Sequence, residues 1–294
     1  MAISMAGFTL NDSLVKLASA EMDFGQIMLV RGVMATTLIF LFAWHQGALS
    51  AWRQIFHPMV FLRAAGELGA TIFFLIALAR LPIANVSAVL QALPLAVTMG
   101  AALVFGEPVG WRRWLAIVVG FTGVMIIVRP GFEGFNAFAL FALLSVAFCT
   151  VRDLATRKIP QSVPSLLIST STAIAVTVCG ALIAGVSGSW TPLTVENTTT
   201  LCVAAALLVV GYHFIIMAMR GGDISFIAPF RYTALLWALL LGYAMFGDIP
   251  DLPMIVGAAI IVASGLFTLY RERMAGRRPV AAESTLAGVA PDGI

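Results

Sequence analysis

The sequence is short of charge. Only 11% of its 294 residues are Asp, Glu, Lys or Arg, against about 25% in soluble domains, and this is too little to solvate the surface of a water-soluble domain. Cysteine is scarce as well: Cys149, Cys179 and Cys202 lie inside apolar runs without paired spacing, which excludes a disulfide framework or a thiolate metal site. The chain carries no nucleophile–base constellation, no metal-ligand cluster and no phosphate-cradling glycine loop. It therefore reads as a non-enzyme with no cofactor, no metal and no nucleic-acid partner. The N-terminus, MAISMAGFTLNDSLVKLAS, lacks a basic n-region and holds Asp12 and Lys16 where a cleavable signal would be apolar, so it reads as a retained first span.

What the chain has instead is apolar length. With 61% hydrophobic residues and a mean hydropathy of +1.00, it is an integral membrane protein surrounded by lipid. Windows of about 19 residues between charged and Gly/Pro punctuation predict ten spans. They cover roughly 2–20, 25–44, 59–79, 83–105 and 112–129, then 136–156, 163–184, 199–219, 224–246 and 252–270. Residues 273–294 are polar and small and are expected to form a disordered cytoplasmic tail.

The two halves echo each other. Phe105-Gly106-Glu107 recurs as Phe246-Gly247-Asp248; the same offset takes Asp12 to Asp153 and Lys16 to Arg157, and an offset one shorter takes Arg80 to Arg220. Five spans per half is an odd number, so the second copy must enter the membrane from the opposite side. The predicted fold is all-α, two inverted five-helix repeats (1–131 and 132–272) enclosing a central cavity. Basic residues agree. Arg53, Arg112, Arg113, Arg157, Lys158, Arg220, Arg271, Arg273, Arg277 and Arg278 fall on one side and only Lys16, Arg80 and Arg129 on the other, which places both termini in the cytoplasm.

Within the fourth span, Ser87, Gln91, Pro94 and Thr98 are spaced 4, 3 and 4 apart and so share one face. In lipid such a stripe turns inward, to glue helices or to line a cavity. Other polar and ionisable groups are candidates on the same ground. Asp12 and Lys16, like Asp153 and Arg157, can neutralise each other at i, i+4. Alternatively Asp12 joins Asn11 and Ser13 in a polar cluster that substrate reaches. Glu67 either pairs with Arg63 or, together with Asp12, serves proton coupling. Arg231, beside Tyr232, is placed to hold a substrate carboxylate. His213 and Met217 share a face in the eighth span. Phe73, Phe74, Tyr212, Tyr232 and Trp237 can form an apolar binding wall or ordinary helix packing.

Taken together, the two five-helix repeats, the Phe-Gly-Glu and Phe-Gly-Asp span ends, the fifth span with Gly120 and Gly123, and ALARLPIANVSAV leading into the fourth resemble the drug/metabolite transporter superfamily. The likeness is to its EamA-type members, and most of all to the YddG-type exporters of aromatic and neutral amino acids. The resemblance implies a basket-like ten-helix carrier of the bacterial inner membrane. It would export a small amphipathic molecule by alternating access, with the fifth and tenth spans peripheral. Three rivals remain: efflux of organic cations or drugs, carriage of sugar phosphates or nucleotide sugars, and a non-transport membrane enzyme or receptor. Beyond the small-molecule substrate and membrane lipid no partner is implied, and a monomer and a peripheral-helix dimer would look alike.

Overall fold

The computed structural model describes residues 1–45, 47–130, 136–160, 162–221 and 227–274. Every regular element among them is helical. Eleven α-helices follow in order: α1 (Ala2–Ala18), α2 (Phe24–His45), α3 (Pro58–Arg80), α4 (Ile83–Leu90), α5 (Leu93–Phe105), α6 (Trp111–Val128), α7 (Phe138–Lys158), α8 (Ser165–Ser187), α9 (Val195–Gly221), α10 (Thr233–Phe246) and α11 (Leu252–Met274). Two 3₁₀ segments, Ala48–Phe56 and Ala228–Tyr232, complete the order. From residue 275 onward, the predicted tail lies outside the described residues.

Seven helical stretches among the described residues are long and apolar enough to cross a membrane: α2, α3, α4 with α5, α6, α7, α8 and α11 through Glu272; Val195–Gly211 of α9 is a shorter apolar helix. The remaining predicted spans fall short for physical reasons. α1 is 17 residues long and carries Asp12 and Lys16, while α10 is 14 residues because its lead-in is wound as the 3₁₀ turn.

The helices pack in antiparallel pairs. α2 lies on α8, α3 on α7, α6 on α11 and α1 on α9, with α10 against both α1 and α4, and α5 against α7. Contacts that advance along one helix retreat along the other. Gly66 faces Arg152, Gly69 faces Phe148, and the Ser145 hydroxyl donates to the Ala70 carbonyl at 3.0 Å. The α6–α11 pair is fastened at both ends. A buried Arg113–Glu272 ion pair at 3.1 Å holds one end and an Arg129–Asp251 pair the other.

The Phe-Gly-acid turns have a common cause. Gly106 and Gly247 stop α5 and α10 in left-handed conformation, φ 66° and 68°, which a residue without Cβ adopts at no steric cost. The chain then doubles back, so that the Glu107 N–H donates to Ala101 O and the Asp248 N–H to Gly242 O.

Candidate functional site

The fourth span is not one helix. α4 stops at Leu90, Gln91 and Ala92 form a turn, and α5 begins at Leu93. Pro94 explains the break: it has no N–H to offer the Leu90 carbonyl, and its ring crowds that carbonyl in a continuous helix. The Thr98 hydroxyl occupies the Pro94 carbonyl at 2.8 Å, and Thr98 is buried. Across the bundle Pro229 sits in the 3₁₀ turn Ala228–Tyr232 that precedes α10. A small cavity lies between the break and this turn, lined by Leu90, Gln91, Leu93, Pro94, Ala228, Arg231, Tyr232 and Leu269.

Three polar side chains meet there. Gln91 is 3% exposed and its Nε2 is buried without a hydrogen-bond partner among the described residues, a donor left vacant in an apolar interior costing about 1–3 kcal/mol. Arg231 and Tyr232 are each 8% exposed. Tyr232 is seated by α11: a Cβ added at Gly265 would fall 1.7 Å from the tyrosine oxygen, so only glycine leaves room for the ring. The tenth span, expected at the periphery, thus supplies both Gly265 and Leu269 to the site.

A buried charge cluster adjoins the cavity. Arg152 of α7 is wholly buried; its NH1 donates to Glu67 Oε2 at 3.1 Å and its Nε to Asp153 Oδ1 at 2.8 Å. Arg63 NH1 donates to Thr172 Oγ1 at 2.9 Å. Asp153 and Arg152 also act electrostatically on Arg231, which connects the cluster to the cavity. Arg152 was not among the sequence candidates, although an Arg-Asp doublet inside an apolar run was the signal for it.

The remaining candidates are dispersed. Ser87 is half-buried, one turn before Gln91. Asn11 is buried and donates to Asp12 Oδ1 at 2.9 Å, and Arg31 acts on Asp12 electrostatically. Lys16 does not turn back to Asp12. Its Nζ donates to the Leu78 carbonyl at 2.9 Å and to that of Leu81. Arg157 pairs with Glu107, in the turn that follows α5, at 2.7 Å. Phe73 stacks on Phe141 and tilts against Phe148 in the α3–α7 interface, and Phe74 is in the main core. Trp237 packs beside Met5 and Phe8, whereas Met217 is 55% exposed on the outer surface. The side chains of Tyr212 and His213 lie outside the described residues.

Comparison with known proteins places this geometry in context. Residues 1–129 match the EamA-like transporter family. The chain is 30% identical over 202 residues to a riboflavin transporter of Rhizobium johnstonii, covering 69% of this chain and 67% of that one. It is 24% identical over 286 residues to an S-adenosylmethionine uptake transporter of Rickettsia prowazekii, 92% and 91% of the two chains. To the pseudopaline exporter CntI of Pseudomonas aeruginosa it is 24% identical over 265 residues, 87% and 90%. A crystal structure at 19% identity superposes with a TM-score of 0.59 over 92% of this chain and 98% of the other.

Proposed function

Since the chain belongs to the EamA-like transporter family, we propose that it is a secondary carrier working by alternating access between two inverted five-helix repeats, residues 1–131 and 132–272. Its substrate is a small amphipathic molecule bearing a carboxylate, with neutral and aromatic amino acids the first class to test. The observation that carries this reading is the cavity between the break in the fourth span and the 3₁₀ turn that leads into α10. Leu90 and Gln91 at the break correspond to Arg231 and Tyr232 of the 3₁₀ turn at the repeat offset. Discontinuous helices facing each other across a repeat interface are the usual framework of a carrier's binding site.

The helix pairing supports the repeat. Replacing each helix by its counterpart in the other half turns α3–α7 into α9–α1, turns α1–α10 into α7 with α4 and α5, and returns α2–α8 and α6–α11 to themselves. In the cavity, Arg231 takes the carboxylate, the free Gln91 amide donates to a second polar atom, and Leu90, Leu93, Pro94 and Leu269 enclose the apolar part. The basic bias supports both termini being cytoplasmic, and the likeness to bacterial transporters supports the bacterial inner membrane. Glu67 and Asp12 remain the proposed proton-coupling groups.

A second reading follows from the relatives. Riboflavin, S-adenosylmethionine and pseudopaline are larger than an amino acid, and their transporters include both uptake and export. Counterflow in proteoliposomes separates the readings without assuming a direction. Vesicles are preloaded with unlabelled phenylalanine, methionine, riboflavin or S-adenosylmethionine, and uptake of the same labelled compound is followed. Accelerated exchange of phenylalanine or methionine, reduced by Gln91→Ala and Arg231→Ala, supports the first reading. Exchange of the larger compounds alone supports the second, and exchange of none overturns both.

A further inference from the structure

We propose that the two Phe-Gly-acid turns, each with the basic residue in the last turn of a facing helix, are latches that tie the two halves of the protein together at one face at a time. The proposal rests on the carrier reading above. At one face Arg157 of α7 pairs with Glu107 at 2.7 Å and lies 5.6 Å from the centre of the Phe105 ring, with the Lys158 ammonium 4.4 Å from the same ring. At the other face Lys16 of α1 occupies the position equivalent to Arg157, and its Nζ lies 5.4 Å from the centre of the ring of Phe246, the residue two before Asp248. Each assembly thus consists of a cation, an aromatic perch, a left-handed glycine and an acid.

The two assemblies are in different states. Glu107 is engaged across the repeat boundary. Asp248 is not: its Oδ2 is buried with no hydrogen-bond partner among the described residues, although its charge acts on Lys16. The Lys16 ammonium instead donates to the Leu78 and Leu81 carbonyls at the end of α3, inside its own half. Transfer of the ammonium to Asp248 exchanges two carbonyl bonds for an ion pair and satisfies the stranded carboxylate oxygen. The lysine ammonium is already beside the Phe246 ring, two residues before Asp248 in the chain. Two arrangements of similar free energy are what a switching element requires. When Lys16 engages Asp248, the matching rearrangement releases Arg157 from Glu107, and the opposite face opens.

The test reads accessibility, not transport. A cysteine-less variant carrying Ala228→Cys, a cavity residue 2% exposed here, is treated with a membrane-impermeant maleimide in intact cells and in inverted membrane vesicles. Glu107→Gln should raise labelling through the Arg157 face about fivefold or more and lower it through the Lys16 face, a modest population shift. Asp248→Asn should do the reverse, and the exchanged pair Glu107→Arg with Arg157→Glu should restore the parent ratio. If both neutralisations move labelling the same way or leave it unchanged while the cysteine reacts from both faces, the latches are overturned and the carrier reading stands. If neither Ala228→Cys nor Leu90→Cys reacts from more than one face in any variant, both fail.

Discussion

Thr36 and Thr177 are 141 residues apart, the repeat offset, and their hydroxyl oxygens lie 2.9 Å from each other across the α2–α8 crossing. The Thr177 hydroxyl hydrogen is spent on the Ala173 carbonyl at 2.8 Å, so Thr36 is the donor and Thr177 the acceptor. In the proposed inverted repeat, two equivalent positions that touch lie close to the axis relating the halves. Hydrogen bonds between membrane helices contribute about 0.6 kcal/mol on average. Thr36→Val and Thr177→Val should therefore each lower stability slightly, with a coupling near that value in a double-mutant cycle of unfolding in detergent micelles. Strictly additive effects would remove the bond from the account.

The Arg129–Asp251 clasp predicts a pH dependence. Partial burial pushes the Asp251 carboxyl up, but the Arg129 guanidinium and the Met254 N–H, which donates to Oδ1 at 3.0 Å, outweigh this and hold it below the ordinary carboxylate range. A depressed folded-state value means stability that is fully present above the unfolded value of about 3.9 and lost as pH falls through the lower folded value. Asp251 is half exposed, so screening keeps the ion pair to about 0.5 kcal/mol, and loss of its cap on α11 adds to that. Unfolding followed from pH 6 to pH 3 should show a shallower acid loss in Asp251→Asn than in the parent. Superimposable curves would count against the clasp.

The sequence shows more of the helices than of their partners. Pro94 is visible in the fourth span, yet the sequence reads that span as one continuous helix and the break at Gln91–Ala92 is not expected from it; the Phe-Gly-acid turns are visible because left-handed termination needs glycine. Most helix ends fall within a few residues of expectation, but α10 starts at Thr233, well after the predicted 224, because its lead-in is a 3₁₀ turn. Pairing is not local. Spacing places Lys16 on the same face as Asp12, yet the packing of α1 against α3 offers Lys16 two unsatisfied helix-end carbonyls, and these win. Arg152 went unnoticed because its role depends on Glu67, a residue 85 positions away. The contribution of α11 to the cavity was illegible too. Gly265 and Leu269 are ordinary residues in an apolar helix until Tyr232 is placed against them.

That placement can be tested by packing. A methyl group at Gly265 would meet the Tyr232 oxygen at 1.7 Å and Cζ at 2.6 Å, so Gly265→Ala should cost about 1–3 kcal/mol by overpacking and dislodge the tyrosine from the cavity wall. Tyr232→Ala on the same chain should recover part of that loss. The double variant is then more stable than the sum of the singles, as measured by thermal unfolding in detergent. Equal costs with and without Tyr232 would show that the ring does not rest on Gly265.

The charge cluster yields an ordering of effects. Arg152 serves both Glu67 and Asp153 inside the protein, so Arg152→Ala leaves two buried carboxylates without their cation. Breaking a buried pair from one side costs about 3–5 kcal/mol. Glu67→Gln removes only one acceptor charge and leaves an amide oxygen facing Arg152, which still holds Asp153 at 2.8 Å, so its cost should be about 1–2 kcal/mol. Yield and unfolding temperature should fall in the order parent, Glu67→Gln, Arg152→Ala. If Glu67 also carries the coupled proton, Glu67→Gln abolishes the pH dependence of exchange while leaving exchange itself measurable. A variant that keeps the parent's pH profile would assign Glu67 to structure alone, as the ion partner that lets Arg152 remain in the membrane.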